Sequence, residues 1–66
     1  MPFVRISMIK GRSDGQKKEL ISRVTDVIAE VLGVAKEHTQ VLIEEADKKN
    51  WGVGGIVLDK IIKKTE

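Results

Sequence analysis

One apolar stripe constrains this chain more than any other feature. Leu20, Ile21, Val24, Val27, Ile28, Val31 and Leu32 fall at i, i+1, i+4, i+7, i+8, i+11 and i+12, the spacing of a helix that hides one side. Ser13, with Gln16 three residues on, has the capping-box spacing that starts a helix. Gly33 follows the last stripe residue, where a helix end favours a left-handed conformation. These limits predict a helix of roughly 28 Å. Whatever else the chain forms must cover its stripe.

The flanking segments supply the cover. Val4-Arg5-Ile6-Ser7-Met8 alternates apolar and polar residues, the period of a half-buried strand. Gln40 to Glu45 reads as a second strand with an apolar centre. Strand, helix and strand joined by short connections make a β-α-β unit, with parallel strands and a right-handed crossover. Ala46 to Asn50 reads as a polar loop, and Trp51-Gly52-Val53-Gly54-Gly55 as a glycine-dense turn. In the last apolar segment, Ile56-Val57-Leu58 suits a strand, whereas Leu58, Ile61 and Ile62 suit a helical turn. The expected class is α+β: one domain over residues 1–66, a β-α-β unit with a C-terminal hairpin or arm that packs on a neighbour.

Two strands do not stand alone as a sheet. A domain of 66 residues buries only about 60% of its unfolded surface, so it needs a further source of stability. The chain has no Cys, and His38 is its only His, which excludes disulfides and a Cys/His zinc site. Hydrophobic residues nonetheless make up 41% of the sequence, too many for a disordered chain. Association with further copies remains, and a homo-oligomer is expected. Net charge is only +2, with both signs mixed along the chain and Phe3 and Trp51 the only aromatics, so nucleic acid is not an expected partner. No apolar run reaches the roughly 20 residues of a membrane span, and charges at Lys10 and Arg12 break any signal-like start. The expectation is a soluble, cytoplasmic protein that needs no cofactor.

The familiar catalytic sets are missing. There is no Cys nucleophile, and His38 has no Ser or Asp at a diagnostic spacing. Glu44 and Glu45 are neighbours on a strand, so they point to opposite faces and do not form a carboxylate pair. The glycine-rich turn lacks the Lys-Ser/Thr of a phosphate loop. The N-terminus remains. Loss of Met1 ahead of a residue as small as Pro frees a secondary amine at Pro2. An α-amine titrates at about 7.7–8.0 in model peptides, and apolar surroundings or nearby cations lower that value. Such an amine at the start of a rigid strand has the makings of a general base.

Pro2 with the strand after it, Gly11-Arg12-Ser13-Asp14 with Gln16-Lys17, the long helix, and Trp51-Gly52-Val53-Gly54-Gly55 together resemble the 4-oxalocrotonate tautomerase family. The resemblance covers almost the whole chain. It implies a β-α-β fold with a C-terminal hairpin, assembled as a hexamer. It also implies an isomerase in which Pro2 shuttles a proton between carbons of a small unsaturated 2-oxo acid, as in the degradation of aromatic compounds. By the same resemblance Arg12 binds a substrate carboxylate, which suits a guanidinium fork, and Trp51 walls the site and keeps it dry.

The match is incomplete at one position. Where dicarboxylate tautomerases carry a second arginine on the second strand, this chain has Gln40, which donates a hydrogen bond but brings no charge. The resemblance therefore leaves other readings open: a phenylpyruvate-type tautomerase, a hydratase, or a non-catalytic oligomeric module. Val53, near the aromatic-Gly turn, stands where the dehalogenases of this superfamily carry a water-activating Glu, which argues against that branch.

Overall fold

The computed structural model describes the backbone of residues 1–65 and the side chains of residues 1–61. Strand β1 (Phe3–Ile9) leads through a loop into helix α1 (Asp14–Leu32). A 3-10 turn at Lys36–His38 precedes strand β2 (Gln40–Ala46), and a second at Lys48–Asn50 precedes the short strands β3 (Gly52–Val53) and β4 (Ile56–Val57). Helix α2 (Leu58–Thr65) is the last described element. The final segment thus takes both forms its sequence suggested, strand through Val57 and helix from Leu58.

The helix limits follow the capping residues. Ser13 Oγ accepts from the Gln16 amide at 3.1 Å, and Gln16 Oε1 accepts from the Ser13 amide at 3.0 Å, so both expected halves of the box are made. Gly33 adopts φ 67° and ends α1. A side chain there would meet no neighbour, and its penalty would be conformational alone.

β1 and β2 pair in parallel, from Phe3 beside Gln40 to Ile9 beside Ala46. Pairing continues a step past each end: the Gln40 amide donates to the Pro2 carbonyl and the Lys10 amide to the Ala46 carbonyl, both at 3.0 Å. Partners in a parallel register share a face. Val4, Ile6, Val41 and Ile43 lie half-buried under α1, with Leu20, Val24 and Ile28 above them. The opposite face carries Phe3, Arg5, Leu42 and Glu44, all exposed, and no element of the described chain covers it. The two adjacent glutamates go to the two faces, as the strand period requires. Glu44 pairs with Arg5 on the open face at 3.1 Å, and Glu45 reaches Lys17 of α1 at 2.9 Å on the covered face.

The result is two layers without a sealed core. Among the described residues none is buried, and Phe3 remains 55% and Val31 74% exposed. The chain exposes 5241 Å². A compact monomer of 7.3 kDa would expose about 4,200 Å², a fifth less. Among the described residues no helix is long and apolar enough to cross a membrane.

Two outcomes are expected. Light scattering at micromolar concentration should give a mass several times 7.3 kDa, with a thermal midpoint that falls on dilution. A folded monomer would contradict this account of the open face. The second concerns the tie between layers. The hydrogen bond Lys17 donates to Glu45 raises the ammonium above its ordinary 10.5, outweighing the opposing loss of water. A raised folded value means that the stabilisation is complete below 10.5 and fades as pH climbs through the folded pKa. Thermal midpoints of wild type and Lys17→Met should therefore converge above pH 10.5 and stay apart at neutral pH.

Candidate active site

Because the strands are parallel, each end of the sheet collects its own residues. Pro2, His38 and Gln40 stand at the end where β1 and β2 begin. Arg12 and Trp51 follow the end where they finish.

At the first end, Pro2 is half-buried, and its carbonyl is fixed by the Gln40 amide at 3.0 Å. The strand that follows holds its position. Met1 before it is 83% exposed and packs on little. Gln40 is exposed, and its carboxamide makes no hydrogen bond among the described residues. His38 closes the 3-10 turn, its amide donating to the Ala35 carbonyl at 3.0 Å. This turn is tied to α1 by the 2.8 Å ion pair of Lys36 with Asp26, whose hydrogen bond raises the Lys36 ammonium above its ordinary value.

At the other end, Gly11 at φ 133° lets the chain leave β1, and Arg12 follows it. Arg12 is exposed and has no ion pair among the described residues. It lines an open groove of about 680 Å³ between β1 and the first half of α1, with Met8, Gln16, Leu20 and Arg23. Pro2, Gln40 and Trp51 do not line that groove.

Trp51 is half-buried at the base of the β3–β4 hairpin. Its carbonyl accepts from the Leu58 amide at 2.7 Å, which closes the hairpin onto the start of α2. Gly54 at φ 60° and Gly55 at φ 84° form its two-residue turn, the type I′ geometry that suits strand twist. The segment read as a glycine-dense turn is thus the tip of a hairpin, and the loop after β2 contains a 3-10 turn nucleated by Asp47, whose side chain accepts from the Lys49 amide at 2.9 Å.

Of the sequence-derived residues, one chain brings Pro2 and Gln40 together, and sends Arg12 and Trp51 to the opposite end. The seven residues of β1 alone span about 23 Å. Arg5, a cation on the open face of the same strand, is engaged by Glu44. Ser13 and Gln16 are occupied in capping. Among the described residues no group of His, Cys, Asp or Glu is placed to hold a metal. In the sequence His38 is an isolated imidazole, the only His of the chain. Its place at the same end of the sheet as Pro2 depends on the strand register, which local patterning does not specify.

Comparison with known proteins bears on this arrangement. A model of the family described as tautomerase enzyme matches residues 2–61. A probable tautomerase of Listeria innocua is 52% identical over 56 residues, covering 85% of this chain and 92% of the relative. A 2-hydroxymuconate tautomerase of Pseudomonas putida is 41% identical over 56 residues, covering 85% and 89%. Among solved structures, a heterohexameric 4-oxalocrotonate tautomerase from Chloroflexus aurantiacus superposes with a TM-score of 0.88 at 33% identity, covering 92% of this chain and 98% of that one.

Proposed function

The chain belongs to the tautomerase enzyme family, and from that premise we propose that it is a cytoplasmic keto–enol tautomerase of small unsaturated 2-oxo acids, with Pro2 as the proton-transferring base. The observation that carries this reading is Pro2 itself, half-buried and held at the head of β1 by the Gln40 amide. With Met1 removed, its nitrogen is a secondary amine on a rigid support. It takes a proton from a carbon of the 2-oxo acid, or from the hydroxyl of its dienol, and returns it to a carbon two bonds away, and its fixed position serves both transfers. With Met1 attached the same nitrogen is an amide and has no basic lone pair.

A 2-hydroxymuconate tautomerase among the relatives favours an unsaturated dicarboxylate. Gln40 favours, as a second reading, a substrate with a single carboxylate, because it offers no charge where the dicarboxylate enzymes of the family have an arginine.

The separation of Pro2 from Arg12 bears on how the site is composed. A strand of about 23 Å is far longer than a six-carbon acid. A substrate held by Arg12 while it reacts at Pro2 therefore takes the two residues from different chains. Assembly, in this reading a hexamer as in the Chloroflexus aurantiacus relative, then completes the site as well as the core.

Three measurements follow. Processed and Met1-retaining preparations of one sequence, separated by intact mass and assayed on 2-hydroxymuconate, should differ: the first ketonises it at a rate that rises as one group deprotonates, and the second has almost none of that rate. Equal rates would remove Pro2 from the mechanism. Arg12→Ala should raise KM for acids by about 1.5–3 kcal/mol equivalent, with little change in thermal midpoint. Refolding Arg12→Ala chains together with Met1-retaining chains should restore activity above either alone, since some sites then pair an intact Pro2 with an intact Arg12. A mixture no better than its parts would place both residues in one chain's site.

A further inference from the structure

The register of the sheet carries one more assignment, and it rests on the proposed chemistry at Pro2. Phe3 lies beside Gln40, and the Gln40 amide reaches back to the Pro2 carbonyl. Thr39 before Gln40 is extended, at φ −103° and ψ 127°. Both chains therefore continue one more step in strand-like form, with Thr39 abreast of Pro2, and the 3-10 turn that ends at His38 comes next, at the level of Met1. The alternation of exposure agrees. Pro2 and Thr39 are half-buried like Val4 and Val41, and Phe3 and Gln40 between them are exposed. Adjacent strands stand about 4.8 Å apart. Loss of Met1 thus uncovers the Pro2 nitrogen at the end of the sheet where the turn carrying His38 leads into Gln40.

The other charged groups near this end are engaged. Lys36 is held by Asp26 at 2.8 Å, and Arg5 by Glu44 at 3.1 Å. Glu37, beside His38 in the same turn, is an anion and would repel an acid. His38 and Gln40 have no side-chain partner among the described residues. An imidazole presents an N–H donor in either protonation state and adds a positive charge when protonated. We propose that His38 is a ligand for the substrate carboxylate nearest Pro2, acting with Gln40 where the family's dicarboxylate enzymes use an arginine.

The test separates this assignment from the role of Pro2. KM and kcat are measured on 2-hydroxymuconate, and binding of cis,cis-muconate, which has two carboxylates and no enol hydroxyl, is measured by calorimetry. His38→Ala should raise both KM and the muconate Kd by about tenfold, with a much smaller change in kcat. His38→Gln, which keeps a donor, should recover most of the loss, and assembly mass and thermal midpoint should stay at wild-type values. Where the alanine chain fails to assemble, His38→Phe, a ring without a donor, makes the same comparison. A KM and Kd within twofold of wild type overturn the assignment. So does equal impairment of the alanine and glutamine variants accompanied by a lowered midpoint, which would make His38 structural, and so does a wild-type chain that binds no muconate. A processed wild type that binds muconate but does not turn over 2-hydroxymuconate defeats the Pro2 reading instead, and the calorimetry still decides His38.

Discussion

A two-stranded sheet has two faces, and this chain has one helix to cover them. Both strands carry apolar residues on each face: Val4, Ile6, Val41 and Ile43 beneath α1, and Phe3 and Leu42 opposite. Parallel strands with apolar residues on both sides are those that proteins bury from both sides. Much of the hydrophobic free energy available to this sequence is therefore unrealised in a single copy, and no described residue is buried. Surface that a larger domain would remove within itself is left open here, and the proposed assembly would remove it between copies. The β3–β4 hairpin and α2, which lie beyond the β-α-β unit in a molecule 45 × 24 × 15 Å in extent, add further half-covered apolar surface in Val53 and Ile56.

The ion pairs complement this arrangement. Lys17 ties α1 to β2 through Glu45, on the face the chain covers by itself. Arg5 and Glu44 pair across the strands on the face left for other copies. Exposed pairs of this kind contribute little to stability. Once such a face is covered, an unpartnered charge on it becomes strongly unfavourable, whereas a matched pair is tolerated. The pair thus makes an apolar surface compatible with one internal register.

Local chemistry made the β-α-β unit legible in the sequence. Ser13 with Gln16 and Gly33 set the limits of α1, and the two-residue period marked β1. The two adjacent glutamates could be assigned to opposite faces from that period alone. The C-terminal segment was ambiguous for a physical reason: Ile56-Val57-Leu58 and Leu58-Ile61-Ile62 overlap, and the chain uses the first part for a two-residue strand and the rest for a helix. The residues proposed for the site, Pro2, Arg12, Gln40 and Trp51, were legible as individuals through family resemblance. Their division between the two ends of the sheet was not, because it follows from parallel pairing rather than from spacing. The position of His38 was hidden for the same reason, since it depends on which residue of β1 lies beside Gln40.

The parallel register also sets how the chain must find its structure. Every pair from Phe3–Gln40 to Ile9–Ala46 joins residues 37 positions apart. In a chain of 66 residues that is more than half its length, so the sheet has no local contacts from which to start. Helix α1, capped at both ends and held by near-neighbour bonds, can form early and replace most of that gap with a rigid rod. Closing the sheet remains a non-local step of the kind that slows folding. Its product still has an uncovered face, so the barrier to a native subunit and the encounter of subunits are coupled, and protein concentration enters the folding rate itself.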